Sequence, residues 1–360
     1  MAPADPVVST SAGRVRGRIE KGVAVFRGIP FAKPPIGPLR FQAPESPAPW
    51  DGVRNAAEFG PAAPQAPMTA EGGQPGPPAD TTGDWLTVNV WTPDPAAARL
   101  PVLVWIYGGA YMFGSSSEPG YDGTPFAQGG AVFVSLNYRL GVEGFAQLPG
   151  APANRGLLDA VAALTWVRDN IERFGGDPAN VTVFGESAGA GVIAAMLAMG
   201  QARGLFRRAI AQSVPGSFFT RDLAGSIAEA IARQAGLPAT YQALAAADPM
   251  DMVNAQMALT GRMREFPQWG GVSLTITPFS PVIDGEVLSR SPWRARRPRW
   301  NCSPATTGTS TGSSWRWGAS SATSPRTRRR PRWPRSPPPP TAPPPTRRPS
   351  PTPIRAPCTS

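Results

Sequence analysis

Three apolar runs limit the fold more than any other feature of the chain: "LPVLVWIYGG" (100–109), "AVFVSLNYRL" (131–140) and "NVTVFGES" (180–187). Runs this continuous suit strands buried on both faces, which in turn need helices on either side of their sheet. The helices are legible too. "GLLDAVAALTWVRDNIERFG" (156–175) has apolar residues at helical spacing and a glycine stop, and "AGAGVIAAMLAMG" (188–200) is a small-residue helix. Strand and helix in alternation predict an α/β fold with a mostly parallel sheet and helices on both faces. Residues 7–30 alternate polar and apolar with glycine punctuation, as short N-terminal antiparallel strands do. A Pro-rich connector (31–50), a polar Gly/Pro loop (about 69–83) and a strand at "LTVNVWTP" (86–93) follow, and further amphipathic helices are expected over 222–263.

With 360 residues, 41% of them hydrophobic, the chain can bury a sizeable core. Its net charge of +11 is uneven. From Ser291 onward there are fourteen Arg and no Lys, Asp or Glu, which leaves 21 basic against 24 acidic residues in 1–290. The basic character therefore belongs to the tail and gives no nucleic-acid footprint for the whole protein. Both cysteines, Cys302 and Cys358, also lie in the tail, so the body has no disulfide, as fits a reducing compartment. The N-terminus lacks a signal-peptide pattern and no run reaches about 18 apolar residues. A cytoplasmic chain with neither membrane nor nucleic-acid partner is expected.

The chemistry centres on "FGESAGAG" (184–191), a G-x-S-x-G between a strand and a helix. A serine on such a turn is lifted to the carboxyl edge of the sheet at a helix N-terminus, where developing negative charge is favoured. "YGGAY" (107–111), after the earlier buried strand, lies where an oxyanion-binding loop belongs. Gly109, Ala110 and Ala188 are candidate backbone donors. The plain alternative is a pair of glycine-rich turns, one of which contains a serine.

These residues resemble the type B carboxylesterases and lipases, an α/β-hydrolase branch that includes bacterial para-nitrobenzyl esterases and the cholinesterases. "FGGDPANVTVFGESAGA" (174–190) is similar to the family's serine signature along its whole length. Supporting matches are "FRGIPFAKPPIGPLRFQAP" (26–44), "TVNVWTP" (87–93), "VWIYGGAY" (104–111), "NYRLGVEGF" (137–145) and "SPVIDGEVL" (280–288). The resemblance implies an α/β-hydrolase body over 1–290, Ser187 as acylated nucleophile, and Gly109, Ala110 and Ala188 as the oxyanion hole. It implies a small carboxylic ester as substrate and neither metal nor organic cofactor. Where the family has Glu-Asp-Cys before a leucine, this chain has Gly83, Asp84 and Trp85. The family salt bridge expected at Arg40 and an N-terminal disulfide thus lose their usual partners.

The triad acid and base are not identifiable. The chain has no histidine at all, and the nearest downstream carboxylates, Asp284 and Glu286, fall in a turn that the family uses structurally. From about Ser291 the Arg, Pro, Ser, Thr and Trp composition is what GC-rich coding DNA yields in a wrong frame. Back-translating 300–315 and regrouping the bases one position earlier forces Glu in the slot of Asn301 and Leu in that of Cys302. It permits "VELLAGDNRDEYRLF", whose second Glu falls in the slot of Ser310, about where the family's triad acid belongs. A frame slip between about Leu288 and Trp300 is one expectation for 291–360; a genuine disordered Arg/Pro tail for nucleic acid or anionic surfaces is the other. In either case the tail is expected to be disordered, with apolar faces and a strand edge of the body uncovered. Function divides likewise between a serine ester hydrolase, impaired by the missing Glu and His, and a non-catalytic binding module on the same fold.

Overall fold

The structure is a computed structural model and describes residues 4–67, 83–294, 300–306 and 313–319. The strands in chain order are β1 (Val7–Ser9), β2 (Arg14–Arg16), β3 (Arg18–Glu20), β4 (Val23–Pro30), β5 (Val53–Asn55), β6 (Thr87–Thr92) and β7 (Leu100–Ile106). They continue with β8 (Val132–Leu136), β9 (Gly176–Glu186), β10 (Arg208–Gln212), β11 (Phe219–Thr220), β12 (Val282–Ile283), β13 (Trp300–Thr306) and β14 (Ser313–Ala319). Nine of them form one sheet in the order β13-β14-β10-β9-β7-β8-β6-β4-β3.

Only the middle four strands, β10, β9, β7 and β8, run parallel; every other pairing in this sheet is antiparallel. Connections explain the division. Lys21 and Gly22 join β3 to β4 with φ of 50° and 77°, the positive values at both central residues that a two-residue hairpin turn requires. The parallel strands are separated by helices instead: α1 (Thr124–Gln128) before β8, α2 (Gly141–Phe145) and α3 (Arg155–Asn170) before β9, and α4 (Ala188–Met196) before β10. Gly175, at φ 83°, ends the 3-10 turn that follows α3, in the left-handed conformation glycine tolerates best.

The two faces of the sheet are unequally covered. Val102, Val104, Val132, Val134, Val181 and Val183 belong to the large core with α3 and α4. The alternate residues Leu103, Trp105 and Phe184 meet a small cluster of Val23, Val25, Trp91, Phe133 and Ala127 of α1 and are only partly buried. The expectation of strands buried on both faces is thus corrected for β7 and β9. A five-residue helix is too short to cover the face that the period-2 alternation presents to it.

Beyond the sheet, α5 (Arg221–Gln234), α6 (Tyr241–Ala246) and α7 (Pro249–Thr260) fill the predicted helical stretch. Each has a side-chain N-cap, from Thr220, Thr240 and Asp248 in turn. Within the stretch from Ser291 onward, β14 pairs with the edge of β10 and β13 with β14. Composition argues against structure there, but ladder bonds are made by backbone groups, and an open edge offers them to any extended segment. Ser310, within 307–312, and Cys358, within 320–360, lie outside the described residues.

Three buried arginines tie the helical layer to the N-terminal connector. Arg139 donates to Asp159 through Nε and Nη2 at 2.8 Å each, and the pair is almost wholly buried. Arg155 is satisfied by carbonyls alone, including Glu143 at 2.7 Å and Val142 and Ala146 at 2.9 Å. Arg40 has the salt bridge that its family triplet no longer supplies. Its Nη2 lies 2.6 Å from Glu143 Oε1 on α2, and its Nη1 donates to the Ala245 and Ala247 carbonyls. Asp84, from the altered triplet, instead makes an exposed contact with Arg54 at 3.4 Å.

Removing one member of a buried ion pair leaves the other charged and unpaired. Glu143→Ala is therefore expected to lower unfolding free energy by about 3–5 kcal/mol, measured by urea denaturation, whereas Asp84→Ala changes it by less than about 0.5 kcal/mol.

Candidate active site

The edge of the parallel strands meets α4 at Ser187, whose φ of 53° and ψ of −122° are rarely adopted by a residue with a side chain. Two bonds hold the turn: Ser187 N–H donates to Gln212 O on β10 at 2.9 Å, and Gly191 N–H donates to Ser187 O at 3.0 Å. The flanking glycines are there for β7. A Cβ on Gly185 would come 2.5 Å from Ile106 O, and one on Gly189 2.1 Å from the same atom. No side chain fits at either position without separating the elbow from β7.

The loop after β7 is equally constrained. Gly109, Ala110 and Tyr111 have successive φ values of 105°, 55° and 60°. Met112 and Phe113 N–H both donate to Gly109 O at 2.9 Å, Thr277 Oγ1 donates to Ala110 O at 2.8 Å, and Gly141 N–H donates to Tyr111 O at 2.7 Å. Gln65 closes the far end, accepting from Gly114 N–H at 2.8 Å and donating to Gly114 O at 2.9 Å. The carbonyls are thus engaged, while the N–H groups of Gly109 and Ala110 donate no hydrogen bond among the described residues. Ala188 opens α4, where a helix has N–H groups without an intrahelical partner. Loop and elbow touch at Gly108: a Cβ there would lie 2.8 Å from Glu186 O and 3.1 Å from Ser187 Cβ. Sequence-predicted Ser187, Gly109, Ala110 and Ala188 therefore sit on two adjoining segments. Free backbone donors beside a hydroxyl form an arrangement suited to an oxyanion.

Asp284 and Glu286 are otherwise occupied. Asp284 accepts the N–H groups of Glu286, Val287 and Leu288, an Asx-type turn, and Glu286 makes an exposed ion pair with Arg221 at 3.2 Å. Asn301 and Cys302 lie on β13. Among the described residues no group of three His, Cys, Asp or Glu could hold a metal ion, and no helix is long and apolar enough to cross a membrane.

Sequence reasoning missed three residues that shape this site. Gln65 and Thr277 grip the loop from positions far away in the chain, which no local pattern announces. Glu186 lies inside the serine motif itself; partial burial holds its carboxyl above the usual carboxylate range. The nearby Tyr121 hydroxyl is pushed up to about 12, chiefly by burial and then by Glu118.

A sheet with a parallel centre, a serine on its strand-to-helix elbow and a neighbouring donor loop define an α/β-hydrolase. A model of the carboxylesterase family matches residues 4–325, and the chain belongs to that family. It is 41% identical over 297 residues to the para-nitrobenzyl esterase of Bacillus subtilis (strain 168), covering 80% of this chain and 59% of that protein. It is 39% identical over 296 residues to the phenmedipham hydrolase of Pseudarthrobacter oxydans, covering 80% and 58% respectively. A crystal structure of a Geobacillus stearothermophilus carboxylesterase superimposes with a TM-score of 0.69 at 42% identity, over 79% of this chain and 58% of that one. The chain thus spans somewhat more than half the length of these relatives.

The crowding at Gly108 has a measurable consequence. Gly108→Ala is expected to cost about 1–3 kcal/mol of stability in thermal or urea unfolding. Gly120→Ala, where nothing lies within 4 Å of the new Cβ, is expected to stay within about 0.5 kcal/mol of the parent.

Proposed function

We propose that this chain is a serine ester hydrolase that acts on small carboxylic esters through an acyl-enzyme on Ser187. Ser187 Oγ attacks the ester carbonyl. The Gly109, Ala110 and Ala188 N–H groups receive the oxyanion, the alcohol leaves, and water releases the acid. The observation that carries this reading is the strained Ser187 turn set against a loop whose Gly109, Ala110 and Tyr111 carbonyls are engaged and whose Gly109 and Ala110 donors are free among the described residues. Two relatives named for ester hydrolysis, the para-nitrobenzyl esterase and the fumonisin B1 esterase of Sphingopyxis macrogoltabida, support the substrate class.

The body of this enzyme is residues 1–290, and 291–360 is a low-complexity stretch whose reading frame has slipped. No family triad acid or histidine is then present, and catalysis falls to what binding and the oxyanion hole supply, about 10³–10⁴ over the reaction in water. The absence of histidine favours one alternative, a binding module on the same fold.

Exposure of the 360-residue chain to a fluorophosphonate, followed by peptide mass analysis, tests the reading. Covalent label at Ser187, absent from Ser187→Ala, is the expected outcome; a folded chain that stays unlabelled even with added imidazole supports the binding module instead. Restoring the frame near residue 290 is expected to raise ester turnover by at least about a hundredfold, since a general base contributes 10²–10⁴.

A further inference from the structure

Tyr111 spans the distance between the donor loop and the helix behind the serine. Its backbone belongs to the loop, directly after Ala110, and its carbonyl accepts Gly141 N–H at 2.7 Å. Its side chain leaves the loop. The ring packs on Phe145 of α2, with centroids 4.9 Å apart, and is almost wholly buried. The hydroxyl ends against α4 at Gly191, where a Cβ would run into Tyr111 Oη and stand 3.2 Å from its Cζ and 3.4 Å from Pro215 Cδ. Gly191 lies one turn along α4 from the serine, and its N–H donates to Ser187 O at 3.0 Å.

No hydrogen bond accounts for this contact. Tyr111 Oη has no partner among the described residues, and the nearby Ser280 hydroxyl donates to Ser217 O at 2.6 Å. Burying a hydroxyl without a partner is unfavourable, so the oxygen acts here by its bulk. It fills the one spot on this turn of α4 that the missing side chain of Gly191 leaves clear.

We infer that Tyr111 is a positioning residue: with Gly191 it sets the separation between the Ala110 donor and the Ser187–Ala188 turn. The inference rests on Ser187 being the nucleophile and on its neighbouring N–H groups receiving the oxyanion. At its start the loop meets the elbow through Gly108, close to Glu186 O and Ser187 Cβ. Tyr111 adds a second contact three residues on. The two contacts flank Gly109 and Ala110, so they hold the orientation of both donors as well as their distance. Such donors act only where charge develops, and a misplacement of about 1 Å can cost a hundredfold in rate.

The test is fluorophosphonate labelling of Ser187 in the full chain with imidazole supplied as base, resolved into a binding constant KI and a maximal rate kinact, with circular dichroism to establish folding. Gly191→Ala pushes the loop away from α4 and is expected to lower kinact at least about tenfold, with KI changed less than about twofold. Tyr111→Phe is expected to label within about threefold of wild type. The double variant Tyr111→Phe/Gly191→Ala is expected to recover to about the same range, because the oxygen that the new methyl would meet is gone. Gly123→Ala is the control for packing strain: its Cβ would run into the Phe133 and Trp91 rings of the small cluster on the other face of the sheet, and kinact is expected to stay unchanged. Tyr111→Leu, which withdraws from α4, gives a second reading if Gly191→Ala does not fold, and is expected to lower kinact by about tenfold or more.

A folded Gly191→Ala that labels as fast as wild type, a double variant no faster than Gly191→Ala, or an equal loss in Gly123→Ala overturns the inference while leaving Ser187 the nucleophile. A folded Tyr111→Leu at the wild-type rate does the same, as does failure of both Gly191→Ala and Tyr111→Leu to fold, which makes the contact a requirement of the fold alone. Equal labelling of Ser187→Ala, or no labelling of the folded wild-type chain, removes the nucleophile and the inference with it.

Discussion

The carbonyl oxygen of Ile106 is the point around which the site is built. It lies within 2.5 Å of where side chains at Gly185 and Gly189 would begin, so β9, α4 and β7 approach one another only because both residues are glycine. That approach forces the turn at Ser187 into positive φ, and the Gln212 carbonyl on β10 holds it there. Strain of this kind costs of order 1–3 kcal/mol and persists only where the surroundings over-determine it. Here the surroundings are three parallel strands in register, Val104 opposite Val183 and Ile210 opposite Phe184.

The loop of free donors depends on the same frame. Its position is fixed at three places by residues from other parts of the chain, Gln65, Gly141 and Thr277, and at a fourth by the loop's own Met112 and Phe113 N–H groups. Donors held in this way need little reorganisation when charge develops in front of them, which is how oxyanion stabilisation reaches several kcal/mol elsewhere. The buried Arg40–Glu143 and Arg139–Asp159 pairs anchor the connector and helices behind this loop. Their Coulombic gain is largely offset by desolvation, so they fix geometry more than they add stability.

Much of this was legible in the sequence because local rules govern it. The G-x-S-x-G turn, the glycine stop at Gly175 and the glycine-punctuated antiparallel strands within residues 7–30 follow from conformational needs of single residues. The apolar run of β7 was misleading on one point. Leu103 and Trp105 read as core, yet the face they occupy is covered only by short α1 and they remain partly buried. How far a helix extends over a sheet is a tertiary matter that residue type does not encode. Arg40 shows the converse: with its usual partner replaced by Gly83, the sequence suggested a lost salt bridge, and Glu143, 103 positions away, supplies the carboxylate. Long-range substitution of one carboxylate for another leaves no local trace.

The central claim is that elbow and donor loop are already assembled in this chain despite its lack of histidine. A crystal structure with an aryl boronic acid bound tests it most directly, because boron adds to a serine hydroxyl and presents a tetrahedral oxygen where the oxyanion forms. The account predicts a covalent adduct on Ser187 with one boronate oxygen within hydrogen-bond distance of the Gly109, Ala110 and Ala188 N–H groups. An adduct whose oxygens point away from all three, or a well-ordered site in which Ser187 does not react, would contradict it.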